Sequence, residues 1–299
     1  MDTTRFPGHG FGTFWHGTVL SALEQACLAS FASRGYDVTL FSFENISNVP
    51  DGIRVDDAST IVSRDLESRF LYNGKPDLGH FSDIFRYRMN AMRDLVWIDL
   101  DVLLISDSIP FQNHEILPLE DESGVNGAIF YTDDTTLLKR LTDETMQRIG
   151  KNLKWGETGP LLLTRLLPGK ENRPRLSRQD MFYPISHSDI YKVLLPEFRD
   201  ECSEKCMNAI TVHLFNNILV RLGYWKDVAP PMGSFLYEHL AACNALGYFA
   251  ATYPEDVMRH VIENFRFRLN GKALGIKSII KEVIPSVGRT YRTYYPKQV

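Results

Sequence analysis

Residues Phe81–Ile105 read FSDIFRYRMNAMRDLVWIDLDVLLI, and this stretch restricts the fold more tightly than any other part of the chain. Ile84, Phe85 and Met89 interleave with Asp83 and Arg86, which predicts a largely buried helix over Phe81–Arg93, followed at once by a strand over Leu95–Ile98. A helix feeding straight into an apolar strand is the repeating unit of an α/β sheet. The apolar run then continues through Val102–Ile105, but Asp99 and Asp101 interrupt it. An ionised carboxylate in such a setting is costly unless paired or metal-bound. Residues two apart on an extended strand share a face, so Asp99 and Asp101 are expected side by side, with Leu100 turned the other way. In open α/β sheets ligands sit beyond the carboxyl ends of strands. Two convergent carboxylates there suit Mn²⁺ or Mg²⁺. The plainer alternative is a turn in which one aspartate caps a helix and the other faces water. Asp83 and Arg86, at i and i+3, fall on one helical face and can pair. A surface salt bridge would show the same spacing.

The rest of the chain extends this pattern. Phe11–Trp15 reads as an opening strand ending at His16-Gly17, and Leu20, Leu23, Cys27 and Phe31 recur at helical spacing before Gly35. Val38–Phe43 is β-branched and aromatic enough for a strand, and Asn45–Gly52 reads as a loop. Further on, Gly127–Tyr131 reads as a strand, Thr135–Ile149 as a helix, Leu161–Leu167 as a helix opened by Gly159-Pro160, Pro168–Arg175 as a loop and His213–Leu222 as a short helix. Alternating strands and helices over the first ~130 residues predict an α/β sheet of nucleotide-binding type, with a helical and loop-rich later half covering it.

The 299 residues carry a net charge of −4, which excludes an evident nucleic-acid binder. Eight of the 33 basic residues but only one of the 37 acidic ones follow position 265, so an acidic body bears a basic tail. In that tail Ala273, Leu274, Ile276, Ile279 and Ile280 alternate with lysines, a pattern compatible with a surface helix or with docking on anionic lipid. No apolar run reaches 18 residues, and the first dozen residues lack the layout of a secretory signal. Four cysteines in a chain of this length do not suggest a disulfide framework, and the expected compartment is cytoplasmic, peripheral to a membrane if the tail docks there.

Ser82-Asp83-x-x-Arg86-Tyr87 on a helix, followed by an apolar strand ending in Asp99-Leu100-Asp101, resembles the sugar-nucleotide region of a large glycosyltransferase group. That group, the family 32-like enzymes, includes α1,4-galactosyl- and α1,4-N-acetylglucosaminyltransferases, with the clostridial glucosylating toxins as distant members. Phe14-Trp15-His16-Gly17 is similar to the group's opening Trp-x-Gly strand, Trp155–Pro160 to its Thr-Gly-Pro turn, and Ile210–Asn216 to a His-Leu-Trp-Asn signature in which Phe215 replaces the Trp. The resemblance spans residues 11–225. It implies a GT-A fold over 1–240, with 241–299 as a helical extension, and a metal-dependent enzyme that moves a hexose or N-acetylhexosamine with retention. The implied donor is a nucleotide sugar, UDP-linked by preference, and the implied acceptor a saccharide or lipid-linked oligosaccharide. Asp83, Arg86 and Asp101 would be catalytic. Trp15, Gly17, Asp83, Arg86, Tyr87, Asp99, Leu100 and Asn216 would bind the donor, Trp15 by lying against its base. Asp99, Asp101 and His213 would hold Mn²⁺ or Mg²⁺.

Three other readings compete. Haloacid-dehalogenase-like phosphatases also end a strand in Asp-x-Asp, but continue to a Thr where this chain has Leu103. Cys202-x3-Cys206 with His213 offers three of the four ligands of a zinc site. A sugar-nucleotide-binding module without catalysis would keep the same polar positions.

Overall fold

The computed structural model of the chain describes residues 10–109, 115–122, 124–167 and 175–269. The basic tail after 269 and most of the Pro168–Arg175 loop lie outside these residues. In chain order the strands are β1 (Phe11–Trp15), β2 (Val38–Ser42), β3 (Ile53–Asp57), β4 (Leu71–Tyr72), β5 (Lys75–Pro76), β6 (Val96–Ile98), β7 (Val102–Leu104), β8 (Ile129–Phe130), β9 (Asn152–Leu153) and β10 (Thr211–His213). A short pair, β11 (Val228–Ala229) and β12 (Ala251–Thr252), follows. The helices that matter for the site are α1 (Ala22–Ala32), α2 (Leu78–Arg93), α3 (Thr135–Met146) and α4 (Pro160–Leu166). After α5 (Gln179–Phe182) and α6 (Arg199–Lys205) come α7 (Asn216–Leu222), α8 (Phe235–Ala242) and α9 (Glu255–Leu269).

The expected α/β class is the observed one. The central sheet runs in the order β3-β2-β1-β6-β8; its first four strands are parallel and β8 is antiparallel. Alternation along the strands divides the core in two. Phe11, Val38, Leu40, Val96 and Ile98 pack on the α1 side, while Phe14, Phe41, Trp97 and Phe130 pack on the α2 side. On the α2 side the rings of Phe14, Phe81 and Phe85 meet at 5.0–5.1 Å. Burying each such ring contributes about 1.5–3 kcal/mol, which fixes α2 on the sheet.

The chain passes from β1 to β2 to β3 in one direction and then returns to the other side of β1 as β6. The strand order therefore reverses between β1 and β6, and the crevice at such a reversal is where open sheets bind ligands. β1 pairs with β2 at all five positions but with β6 only at Phe11–Val96 and Gly12–Trp97. The two central strands thus part toward their carboxyl ends, where Trp15 and Asp99 stand.

Several boundaries differ from expectation for local reasons. α2 starts three residues early because the Asp77 carboxylate caps it, accepting from the His80 N–H at 2.9 Å. β3 was not anticipated, since it offers only Ile53 and Val55 as alternating apolar positions and lies at the sheet edge. The helix expected over His213–Leu222 begins only at Asn216: Thr211–His213 instead forms β10, antiparallel to β7 with His213 opposite Val102.

Candidate active site

The apolar run around Asp99 and Asp101 is not one strand. β6 ends at Ile98, the Asp99 N–H donates to Ala128 O at 2.6 Å, and the Val102 N–H closes a turn onto Asp99 O at 3.0 Å. The chain then enters β7, in a different sheet. The two carboxylates do converge, but through this turn rather than through strand alternation. Ligand atoms of Asp99, Asp101 and His213 lie within 4.8 Å of one another. Among the described residues this is the one such group of three, and neither Cys202 nor Cys206 joins His213 in one. Both cysteines are buried free thiols.

β10 brings His213 to the turn. Its Nε2 stands 3.3 Å from Asp101 Oδ2, and the same oxygen accepts from the Asn216 N–H at 2.6 Å. The Leu214 N–H donates to Asp101 O at 2.8 Å, so one short segment holds both the backbone and the carboxylate of Asp101. The link from β10 to α7 passes through Phe215 at φ 49° and ψ 66°, a left-handed conformation that costs a bulky residue about 1–3 kcal/mol. Its ring is buried against His213 with centroids 4.1 Å apart, which offsets the strain.

Asp83 and Arg86 sit inside the protein, their side chains 8% and 5% exposed. Arg86 Nη1 meets Asp83 Oδ1 at 3.1 Å, and Nη2 donates to Asp99 Oδ1 at 2.9 Å. The helix pair and the acidic turn are thus one buried ionic chain, Asp83–Arg86–Asp99, that ends beside Asp101 and His213. Thr158 Oγ1 donates to Asp83 Oδ2 at 2.7 Å, and Trp97 Nε1 donates to Asp99 Oδ1 at 2.5 Å. Arg86 also lies over the Trp97 ring at 5.1 Å, within cation–π range. Neither Trp97 nor Thr158 is given a site role by the sequence, although Thr158 lies in the segment that resembles the Thr-Gly-Pro turn; Trp97 is the middle residue of β6 and Asp99 the first residue after it. Two glycines close the chain in: a Cβ at Gly127 would stand 2.4 Å from Arg86 Nη1, and one at Gly159 would stand 2.7 Å from Asp83 Oδ1.

Burial pushes the Asp99 carboxyl above its ordinary range, and Arg86 only partly offsets this. Burial also acts on Asp101, but the neighbouring His213 and the Asn216 N–H outweigh it and hold that carboxyl low. Burial disfavours a charged His213, yet the Asp101 carboxylate prevails and raises its pKa. Adjacent carboxylates driven in opposite directions are a common mark of functional sites.

The remaining expected residues stand on neighbouring segments, and Trp15 and Leu100 pack against the α1-side core rather than on the ionic chain. Trp15 is half-buried at the end of β1, with Nε1 buried and without a partner among the described residues. Gly17 has φ +126°, and a Cβ there would lie 3.4 Å from that nitrogen. Asn216 Oδ1 and His213 Nδ1 are buried and have no hydrogen-bond partner among the described residues. Tyr87 is fully buried behind the site, and its hydroxyl donates to Thr158 O at 2.8 Å, bracing the turn that reaches Asp83.

These residues fit a divalent cation. The bonds that anchor the carboxylates fall on Oδ1 of Asp99 and Oδ2 of Asp101, so each keeps an oxygen outside them, and His213 Nδ1 is an orphaned buried donor or acceptor. Two carboxylates with an imidazole suit Mn²⁺ better than Mg²⁺, which favours oxygen alone.

Comparison with known proteins yields no matching family model and no matching curated protein. Among solved structures, the chain is similar to the glycosyltransferase GlyE of Streptococcus pneumoniae TIGR4, at 12% identity with a TM-score of 0.38. The likeness covers 87% of this chain and 64% of that one, so the chain spans about two-thirds of the length of the protein it matches. Among the described residues, no helix is long and apolar enough to cross a membrane.

Proposed function

We propose that the chain is a metal-dependent retaining glycosyltransferase of GT-A type, moving a hexose or N-acetylhexosamine from a UDP-sugar to a saccharide hydroxyl. The observation that carries this reading is the convergence of Asp99, Asp101 and His213 at the strand-order reversal, tied by Arg86 to Asp83. The motif resemblance in the sequence supports it, and so do the contacts between its later segments: Thr158 with Asp83, and His213 and Asn216 with Asp101. Bound Mn²⁺ or Mg²⁺ would supply a Lewis acid for the charge that grows on a leaving diphosphate.

The chain's own residues do the rest. Asp101 is pre-set by Asn216 and Leu214, so it need not reorganise when ligand arrives. Asp83 is already held by Thr158 and Arg86, and a carboxylate has about four acceptor positions, so acceptor capacity remains for a donor-sugar hydroxyl. Trp15 offers an indole face to the base and a free N–H. Retention is carried by the motif resemblance; with no covalent nucleophile singled out among the described residues, it would proceed by attack on the donor's own face.

A thermal-shift panel of nucleotide sugars, with and without Mn²⁺, tests the reading. At a hundredfold excess over Kd, binding to the native state adds about 2.7 kcal/mol and raises Tm by several degrees. The expected result is a Mn²⁺-dependent rise with a UDP-sugar that disappears in Asp101→Asn. A flat response to every nucleotide sugar would sink the proposal.

A further inference from the structure

The ionic chain accounts for the donor side of the crevice but leaves an exposed aromatic residue close to it unexplained. Trp155 is 60% exposed, although an indole that packs nowhere exposes apolar surface to water at a cost. Its neighbour Tyr72 lies edge-on to it, ring centroids 6.0 Å apart at 64°. Leu161 and Leu78, also exposed, flank the pair in sequence and space: Leu161 Cγ approaches the Cβ position of Gly156, and Leu78 opens α2 beside His80.

The indole is mounted on a fixed support. The Lys154 carbonyl accepts from the His80 ring at 2.9 Å, the Lys154 N–H donates to Glu157 Oε2 at 2.9 Å, and the Glu157 N–H returns to Lys154 O at 3.1 Å. Gly156 supplies the φ of +71° that the turn requires. Tyr72 stands on β4, which pairs with both β5 and β9. Two rings held by their backbones present a preformed surface, which lowers the entropy lost on binding. The same turn continues to Thr158, three residues on, whose hydroxyl holds Asp83. The support of the aromatic pair and the support of the donor-side carboxylate are therefore one piece of chain.

We propose that Trp155, with Tyr72 edge-on beside it, forms the stacking platform for a pyranose ring of the saccharide acceptor. This rests on the proposed function, of which it names the second substrate's subsite. A pyranose has an apolar C–H face and a rim of hydroxyls, so it needs a flat ring bordered by polar groups. Lys154, exposed, and Glu157, paired with Arg148 at 3.3 Å, lie one and two residues from Trp155 and supply polar groups to the same turn, where a lipid or a large protein interface would need a continuous apolar surface. Trp155 is a binding residue that positions the acceptor.

The test compares wild type, Trp155→Ala, Trp155→Phe and Tyr72→Ala in the full chain. The probes are maltotriose, N-acetyllactosamine and chitotriose, titrated with UDP and Mn²⁺ present and followed by saturation-transfer NMR. UDP affinity is measured separately by calorimetry. The platform predicts that at least one oligosaccharide binds wild type, that Trp155→Ala weakens it tenfold or more, that Trp155→Phe retains part of it, and that UDP affinity stays within twofold. Saccharide binding unchanged in Trp155→Ala, or absent in wild type, overturns the platform even if UDP binds. Trp155-dependent saccharide binding without any UDP binding supports the platform and removes the function it was built on. A shift of Trp155 fluorescence with phosphatidylglycerol vesicles, or on self-association, with no response to the oligosaccharides, also overturns it.

Discussion

Arg86 is the residue on which the site's geometry turns. It lies between two carboxylates, and its guanidinium is planar enough to serve both while resting on Trp97. Burial works against its charge, but Asp99 and Asp83 more than compensate and hold it protonated. Removing one partner of a buried ion pair leaves the other charge uncompensated, at a cost of about 3–5 kcal/mol. Arg86→Met should therefore lower unfolding free energy by that amount in urea titrations, despite a similar volume. A loss below 1 kcal/mol would mean that Asp83 and Asp99 are stabilised by something other than Arg86. The sequence showed Asp83 and Arg86 as an i, i+3 pair but not the bond to Asp99, which bridges a helix and a turn 13 residues apart. Only the docking of α2 on β6 creates it.

At the scale of elements, the sheet strands β1, β2, β6 and β8 and helices α1 to α4 were legible, whereas β3, β4, β5 and β10 were not. β1, β2, β6, α1 and α2 follow from apolar spacing because each packs a face wide enough to impose a period. β10 did not, because the apolar positions of Ile210–Val220 are spaced in a way that fits strand or helix equally. Its pairing with β7, over a hundred residues away, decides the matter. The N-terminus of α2 carries a pH dependence. His80 is buried with Nδ1 2.6 Å from Asp77 and Nε2 on the Lys154 carbonyl, so both ring nitrogens face acceptors. Burial would lower the His80 pKa, but those contacts prevail and raise it above 6.5; Asp77, despite burial, is lowered below 3.8 by His80. A raised histidine contributes stability that is full below 6.5 and lost as pH rises through the folded-state value. A lowered aspartate contributes stability that is present above 3.8 and lost as pH falls through its own folded-state value. The pair is strongest between these limits. His80→Gln should flatten the fall in unfolding free energy from pH 6 to pH 9 seen in wild type, and equal slopes would remove His80 from this role.

For the whole molecule, the arrangement that matters is the reversal of strand order about β1. It could be anticipated as a class of fold but not as a location, since no local pattern states which strand lies beside which. The core on the α1 side of the sheet also encloses every cysteine. Cys27, Cys202, Cys206 and Cys243 are buried free thiols. Burial pushes Cys202 up to about 11 and Cys206 up to about 12, and raises Cys27 and Cys243 as well. Since the thiolate is the reactive form, native protein should show no fast reaction with a disulfide reagent at pH 8, and denatured protein should show four. Rapid native labelling of even one thiol would show that a core opens far more readily than its packing indicates.

The glycines at 127 and 159 have a consequence for how the protein can change. Neither offers a side-chain functional group, yet each marks a place where the room left over is smaller than a methyl group. The atoms they would strike belong to Arg86 and Asp83, which are pinned on several sides and have nowhere to retreat. Gly159→Ala should therefore reduce nucleotide-sugar binding by an order of magnitude or more while circular dichroism stays native-like, and unaltered binding would show that Asp83 has slack. In a library of variants these two positions would register as sensitive as the charged residues they confine. The crevice is specified as much by clearances as by chemistry, and redesigning its selectivity would have to begin elsewhere on its walls.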